Sequence, residues 1–333
     1  MSLKRIIVYL LLAFFAGMAT ENLFNRDALP KITGRAAAPV EKRIGRGDGM
    51  TDPLLMCDTS PDSPENAAIR SFKKIVTGAI KRETEAKWIT SAGVYYRDLS
   101  NGRWFALGAN EVFEPASLMK VPILISILRD ADRNPDILKR RVRFNTPQDL
   151  TSLQKIKPPD LMKPGNFYSV DDLLFRMIAY SDNNATYLLE DIVNPLTREE
   201  LFSDLNVESP YRYPDKTVYV SVDKYASFFR VLYNSSYLSE QMSEKAMKYL
   251  AASTFKEGLV AGVPTDVVVA HKFGERGDNQ DHNKYLSDCG IVYFPRHPYL
   301  LCVMTKGPNF ETLDDAVRDI SATVFREVGS HYN

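Results

Sequence analysis

The stretch EPASLMKVPILISIL, residues 114–128, decides the fold. It is almost wholly apolar after Met119, which is typical of a helix buried in a core. Ser117 and Lys120 stand three residues apart at its start, and positions i and i+3 lie on the same helix face. A lysine is rarely buried without a partner, so Lys120 needs a polar group to bind. For these two residues alone, a capping serine beside a lysine that reaches solvent is the simpler interpretation.

The segments around this helix predict an antiparallel sheet built from both ends of the chain. An amphipathic helix, residues 65–87, precedes a hairpin whose turn is Leu99-Ser100-Asn101-Gly102. Strand patterns return only after residue 260 and a last amphipathic helix follows them. We expect one domain, residues 65–330, with a sheet part (about 65–113 and 260–330) and an inserted helical part (about 114–259). The apolar face of the first helix is expected to consist of Ile69, Phe72, Ile75 and Ile80.

The amino terminus has the features of an export signal. A basic flank precedes the apolar run 6–19, which is short for a bilayer span of about 20 residues and ends in small residues spaced for cleavage. We therefore expect residues 1–19 to be a signal peptide or membrane anchor and residues 20–64 to be a flexible linker. The protein is expected to be exported, periplasmic or extracellular, with a membrane contact only through residues 6–19.

Composition excludes several classes of function. The 42 basic and 42 acidic residues balance, so nothing indicates a nucleic-acid partner. Four histidines without ligand spacing predict no metal, and no cofactor motif is present. Of the three cysteines, Cys289 and Cys302 fall on neighbouring predicted strands. A tight turn would place them diagonally, so a disulfide between them is possible but not favoured.

The S-x-x-K pattern is weak by itself, because it starts at Ser71, Ser117, Ser152, Ser221 and Ser253. What separates Ser117 is its context at the start of an apolar helix. Burial lowers the pKa of an amine, which would make the lysine of this pattern a proton acceptor for a neighbouring hydroxyl.

Two further polar groups interrupt apolar segments. Ser181-Asp182-Asn183 occurs once in the chain, and a turn between two helices is its ordinary interpretation. A buried serine and asparagine nevertheless need hydrogen-bond partners, which a lysine and a substrate amide could both supply. Lys272 ends an apolar strand and precedes Phe273 and Gly274. The glycine would allow a close backbone approach, although a strand end that reaches into water explains the same pattern.

Order and spacing join the three motifs. Ser181 follows Ser117 by 64 residues, and Lys272 follows Ser181 by 91. With these motifs, the sequence resembles the serine β-lactamase and penicillin-binding protein superfamily, class A branch, whose members carry S-x-x-K, S-D-N and K-T-G. The segments 94–124 and 294–307 also look like that family's first hairpin and closing strands. The resemblance covers about residues 65–330 and implies an α+β fold of three αβα layers, with an antiparallel sheet from both termini and an inserted all-helical subdomain.

The resemblance implies a catalytic role for four side chains. Ser117 would be the nucleophile that forms an acyl-enzyme with a lactam or an acyl-D-alanine carbonyl. Lys120 would help to deprotonate it, and Ser181 would carry a proton to the leaving nitrogen. Lys272 would raise the acidity of the Ser181 hydroxyl and attract the carboxylate of the substrate.

The same resemblance implies a substrate site around the last motif. Asn183 would contact the substrate amide or a lysine. Gly274 and Phe273 would border the substrate, and the backbone N–H groups of Ser117 and Glu275 would form an oxyanion hole.

Two departures from the family pattern bear on function. Phe273 stands where the family usually carries a hydroxyl residue, so the resemblance implies that one hydrogen bond to a substrate carboxylate would be absent. The segment 196–229 is short and lacks the E-x-x-L-N pattern that carries the glutamate for deacylation. Glu208 is the best-placed substitute, although a surface glutamate in a turn also explains it.

Three functions therefore stay open, and a fourth, a degenerate family member without chemistry, is disfavoured because every acylation residue is present. The first is an exported β-lactamase-type serine hydrolase that opens β-lactams through a Ser117 acyl-enzyme. The second is a penicillin-binding-type D,D-peptidase on D-Ala-D-Ala-type cell-wall peptides, and the third is a β-lactam sensor that stays acylated. We expect acylation to work and deacylation to be slow or differently catalysed.

Overall fold

The computed structural model describes residues 42–43, 49–56, 67–145, 149–154, 157–213, 219–277 and 283–332. The predicted signal segment, residues 1–19, and most of the predicted linker lie outside these residues. Within the described ranges, none of the helices has the length and apolar character needed to cross a bilayer.

A five-stranded antiparallel sheet forms the middle layer, in the order β4-β3-β9-β8-β7. Its last-synthesised strand, β9, lies between β3 and β8, so both ends of the chain contribute to one sheet, as predicted. The strands are β3 (Ser91–Asp98), β4 (Trp104–Leu107), β7 (Val269–Arg276), β8 (Lys284–Val292) and β9 (Tyr299–Gly307). Two short pairs lie outside it: β1 (Lys42–Arg43) with β2 (Leu54–Met56), and β5 (Arg141–Arg143) with β6 (Phe167–Ser169).

Helices cover both faces of the sheet. One face packs against α1 and α10, and the other against the inserted helical part. In chain order the helices are α1 (Ala67–Glu85), α2 (Lys120–Arg133), α3 (Asp136–Lys139), α4 (Val170–Ala179), α5 (Asn183–Glu190), α6 (Pro195–Asp204), α7 (Val222–Tyr233), α8 (Glu240–Ala251), α9 (Gly258–Ala261) and α10 (Phe310–Tyr332). The predicted α+β fold of three αβα layers is confirmed.

The helix α2 is the centre of the helical part. Residues 120–128 are all buried, and the first partly exposed side chain is Arg129. A helix that is apolar all round has to be enclosed on every side, and α4, α6 and α8 pack around it. The long apolar run of the opening stretch therefore fixes α2 inside the core, with its first turn at the edge of the sheet.

The buried face of α1 differs from the prediction by one position. Phe72, Val76 and Ala79 are buried, whereas Ile75 is 39% exposed. The buried face is centred on these three residues, and Ile75 lies at its edge, where it is partly exposed. The buried face of α1 packs against α10. The sequence of α1 alone does not reveal this partner, so it does not show which residues the contact buries.

The prediction that Cys289 and Cys302 lie diagonally is wrong. The register of β8 and β9 places them directly opposite, and they form a disulfide. The connection between the two strands spans residues 293–298, longer than the tight turn that the sequence suggested. On the other neighbour of β8, the strand β7, Lys272 lies directly opposite Cys289. The disulfide and this lysine therefore lie in one row across the sheet.

Part of the predicted linker is attached to the body of the protein. The backbone N–H groups of Met50 and Thr51 donate to the Glu244 carboxylate at 2.8 and 3.1 Å. The hydroxyl of Tyr293 donates to the carbonyl of Met50 at 2.5 Å. Residues 49–52 therefore belong structurally to the surface formed by α8 and the end of β8.

Candidate active site

The three predicted motifs meet at one cavity of ≈ 300 Å³. It lies where the turn before α2, the loop between α4 and α5, and the end of β7 converge. The residues that line it are Glu114, Ala116, Ser117, Gln154, Ser181, Asn183, Phe273, Glu275 and Arg276.

Ser117 lies on a 3-10 turn, Ala116–Met119, that leads directly into α2. Ala116 has a φ of 48°, a left-handed conformation that is uncommon for a residue with a side chain. The Tyr225 hydroxyl holds the turn from within the core by donating to the carbonyl of Leu118 at 2.7 Å. The Ser117 side chain is half-buried and lines the cavity, so its hydroxyl is open to a bound molecule.

Lys120 is buried one position after this turn and binds the Ser181 loop. Its ammonium donates to the Ser181 carbonyl at 2.6 Å, the Ser181 hydroxyl at 3.1 Å and Asn183 Oδ1 at 2.7 Å. Burial lowers the pKa of Lys120 to about 7, and the carboxylate of Asp182 opposes this shift. A substantial fraction of Lys120 is therefore neutral near neutral pH and can accept a proton.

The loop that carries Ser181 and Asn183 is fixed at both ends. Ser181 has a φ of 53° and follows the end of α4, and the Asp182 carboxylate caps α5 by accepting from two backbone N–H groups. The side chain of Gln154 accepts a hydrogen bond from the Asn183 backbone N–H at 2.9 Å. Ser181 lines the cavity between these two fixed helix ends.

Lys272 approaches the same hydroxyl from the sheet. It is fully buried, and its ammonium donates to the Ser181 hydroxyl and to the Phe273 carbonyl, each at 2.9 Å. Burial and the charge of Lys120 hold the pKa of Lys272 well below its usual range. Two ammonium groups on one hydroxyl repel, so the pair favours a state in which one amine is charged and the other is neutral.

Gly274 allows β7 to touch the serine turn. A Cβ at this position would lie 3.0 Å from the Ser117 backbone nitrogen and 2.9 Å from that of Leu118, and closer still to the Pro115 carbonyl oxygen. The predicted close backbone approach is thus present. It brings the strand residue Glu275 and Ser117 to the wall of one cavity, an arrangement that the predicted oxyanion hole requires.

Phe273 forms an apolar part of the cavity wall. It is 5% exposed and stacks on Phe255 with ring centroids 4.0 Å apart. Its ring also lies 4.2 Å from the Lys272 nitrogen. Phe273 therefore places an aromatic ring, stacked on Phe255, where the resembled family usually carries a hydroxyl.

Glu208 is not brought to the cavity. Its side chain is exposed and accepts a hydrogen bond from the Tyr213 hydroxyl. The neighbouring segment is fixed to α6, because Ser209 and Arg212 both bind Glu199. Among the described residues that line the cavity, none comes from the stretch between α5 and Tyr213.

Four cavity residues were not predicted from the sequence, and one of them is Ala116 of the serine turn. Glu114 and Arg276 flank the first and third motifs and form an ion pair at 3.1 Å. No sequence pattern marks Gln154 as a site residue. Its segment is held at the site because the Asn184 side chain forms hydrogen bonds with Leu150 and Asp149. No group of three metal-binding side chains occurs in the part of the chain that the structure describes.

Comparison with known proteins agrees with this geometry. A family model described as the beta-lactamase enzyme family matches residues 76–328. The beta-lactamase of Streptomyces albus G is 29% identical over 251 residues, which cover 68% of this chain and 74% of that protein. A beta-lactamase structure from Chitinophaga pinensis has a TM-score of 0.64 at 22% identity, covering 80% of this chain and 100% of its own. A PBP-A mutant solved as an acyl-enzyme complex with penicillin G has a TM-score of 0.65 at 21% identity, covering 78% and 97%.

Fold and family match together define a serine hydrolase of the β-lactamase type. More narrowly, the chain belongs to the beta-lactamase enzyme family, because the matched region spans most of its length.

Proposed function

We propose that this protein is an exported enzyme that opens β-lactams through an acyl-enzyme on Ser117. The observation that carries the proposal is the Ser181 hydroxyl, which binds both buried amines at the edge of the cavity that Ser117 lines. Such a hydroxyl can pass a proton between an amine and a bound molecule. The penicillin G complex of a structurally similar protein supports the choice of substrate class.

The contacts suggest how acylation proceeds. Neutral Lys120 has two N–H donors, which the Ser181 carbonyl and Asn183 Oδ1 accept, so its lone pair is left for a hydroxyl proton. We assign this proton to Ser117, which lies three residues earlier in the chain and lines the cavity. The Ser117 oxygen then bonds to the lactam carbonyl carbon, and the oxyanion accepts from the backbone N–H groups of Ser117 and Glu275.

The lactam C–N bond breaks in the second half of acylation. Its nitrogen takes the proton of the Ser181 hydroxyl, which Lys120 replaces with the proton it received. Both amines contact this hydroxyl, so whichever of them is charged favours that release. The product is an ester of Ser117, and water attack on the ester would free the serine and a ring-opened acid.

The test is intact-protein mass spectrometry during incubation with benzylpenicillin, followed by peptide mapping. We expect the chain to gain the mass of one benzylpenicillin, on the peptide that contains Ser117. The four other S-x-x-K serines, Ser71, Ser152, Ser221 and Ser253, provide an internal control, and heat-denatured protein provides another. A native chain that gains no mass, or that gains it on one of those four serines, would contradict the proposal.

A second candidate is favoured by the position of Glu208. Because its exposed carboxylate lies outside the cavity lining, the described residues between α5 and Tyr213 offer no base for water attack on the ester. A penicillin-binding-type D,D-peptidase, or a sensor that stays acylated, does not have to hydrolyse the ester formed with a lactam. Neither protein would therefore need a base that activates water for this step.

Nitrocefin turnover separates these alternatives. We expect the Glu208→Gln variant to hydrolyse nitrocefin at the wild-type rate, because among the described residues the carboxylate bonds to the exposed Tyr213 alone. A large loss of turnover in this variant, with acylation intact, would show that Glu208 does activate the water. In the wild type, continued turnover after the first equivalent indicates a lactamase, whereas a single burst indicates a peptidase or a sensor.

Export is part of the same proposal. The basic flank and apolar run at residues 4–19 support a secretion signal. The disulfide between Cys289 and Cys302 gives independent support, because disulfides persist mainly in oxidising compartments. Amino-terminal sequencing of the protein recovered from its producing cells tests it. A mature chain found only in the cytoplasm would contradict it.

A further inference from the structure

Lys272 is a fully buried amine whose hydrogen-bond partners carry no charge. Its nitrogen donates to the Ser181 hydroxyl and the Phe273 carbonyl, and it forms no ion pair with a carboxylate among the described residues. The buried carboxylate of Asp288, on the neighbouring strand, is hydrogen-bonded to His271 at 2.8 Å instead. A buried lysine usually has an anionic partner. An anion that formed beside this amine would therefore bind it.

Cys289 is placed to become such an anion. It lies directly opposite Lys272 in the pairing of β7 with β8. Opposite side chains of an antiparallel pair point to the same face, with Cβ atoms about 4.5–5.5 Å apart, so the sulfur is within reach of a lysine side chain. Both residues are fully buried, and water does not compete for the contact.

The disulfide prevents this contact from forming. In the oxidised protein the sulfur of Cys289 is bonded to that of Cys302, so it has neither a proton to give nor a charge. A free thiol differs, because a neighbouring lysine lowers its pKa and favours the thiolate. Whether Lys272 has an anionic neighbour therefore depends on the oxidation state of Cys289.

We propose that the disulfide is a redox-sensitive device that keeps Lys272 on the Ser181 hydroxyl. On reduction, an external dithiol supplies two electrons and two protons, the S–S bond breaks, and Cys289 and Cys302 become thiols while the dithiol becomes a disulfide. The Cys289 thiol then passes its proton to the neutral amine of Lys272. The thiolate holds the ammonium through a charge-assisted contact, which is stronger than the neutral contact with Ser181.

The inference rests on the proposed function, because it concerns an amine that assists acylation. It links activity to the compartment in which the chain folds. Both cysteines are fully buried, so a reagent reaches them only when the structure opens. A chain that folds in an oxidising compartment forms the disulfide and is active, whereas a chain that folds among thiols retains Cys289 as a thiol and acylates slowly.

The test compares two variants that lose the same cross-link. Cys302→Ala leaves the free thiol opposite Lys272, and Cys289→Ala leaves it one strand further away. We expect benzylpenicillin to acylate Cys302→Ala about 10- to 100-fold more slowly than Cys289→Ala, as for one competing charge-assisted hydrogen bond. The ultraviolet absorbance of a thiolate at neutral pH should appear in Cys302→Ala alone. Intact-protein mass spectrometry gives the rate constants, and melting temperatures show that both variants fold.

Wild-type protein provides a second measurement that needs no substitution. After unfolding and refolding in dithiothreitol, it should acylate as slowly as Cys302→Ala does, and reoxidation from the unfolded state should restore the rate. Equal rate constants in the two variants, or a reduced wild type that acylates as fast as the oxidised one, would overturn the proposal. If the oxidised wild type is not acylated, the proposed function itself fails.

Discussion

Replacing Lys120 by methionine is expected to slow acylation by benzylpenicillin about 10²- to 10⁴-fold, the usual contribution of a positioned proton acceptor. Methionine fills a similar volume and cannot take the proton of Ser117. The side chain is buried at the start of α2, so the variant changes the site without changing the surface. The measurement is the second-order rate constant of acylation, with the melting temperature recorded to show that the variant folds.

The control for this variant is a lysine outside the site. Lys139 is 79% exposed and pairs with Asp136 at 2.9 Å, so Lys139→Met should acylate as the wild type does. A Lys120→Met variant that acylates at the wild-type rate would remove Lys120 from the mechanism.

The pH dependence follows from the same residue. Because burial lowers the pKa of Lys120 to about 7, the neutral form that accepts a proton increases as the pH rises through about 7. Acylation of the wild type should therefore rise over this range and level off above it. Lys120→Met should lose the rise, and a wild-type rate that falls between pH 6 and 8 would contradict the assignment.

Replacing Gly274 by alanine is expected to slow acylation about 10²- to 10³-fold, as when one oxyanion-hole donor is lost. The new Cβ would lie 3.0 Å from the Ser117 nitrogen and 2.9 Å from that of Leu118, both of them backbone atoms. Strand β7 and the serine turn would have to separate, which would displace the N–H groups of Ser117 and Glu275 from each other. The rate constant of acylation and the melting temperature measure the two effects.

A second glycine provides the matched control. A Cβ at Gly78, within α1, would meet only Arg82 Nη1, at 3.9 Å. Because glycine is a poor helix former, Gly78→Ala should stabilise the protein by about 0.5–1 kcal/mol and leave acylation unchanged. If Gly274→Ala behaves like Gly78→Ala, then the close approach of β7 to the serine turn has no catalytic role.

Much of the architecture could be predicted because the spacing of apolar residues along the sequence indicates which residues are buried. The run after Met119 predicted α2, and the apolar segments near both termini predicted the sheet. The errors came from contacts between segments that are distant in the sequence. Ile75 was misplaced because the buried face of α1 depends on α10, and the cysteine pair was misjudged because it depends on the length of the connection between β8 and β9.

The candidate site was predictable only where polar residues interrupt apolar patterns. Ser117, Lys120, Ser181 and Lys272 stand out for this reason, and the structure gathers them around one hydroxyl and one cavity. Gln154 lies in an ordinary polar segment, so no local pattern marks it. Its position depends on hydrogen bonds across about 30 residues.

The place of β9 in the sheet has a consequence for biosynthesis. Ser91–Asp98 pairs with Tyr299–Gly307. During translation, this pairing can form only after residues 299–307 have left the ribosome. Until then β8 has no neighbour on that side, and Lys272 has no completed layer behind it. A nascent or truncated chain that lacks residues 299–307 therefore cannot complete the sheet layer that supports Lys272.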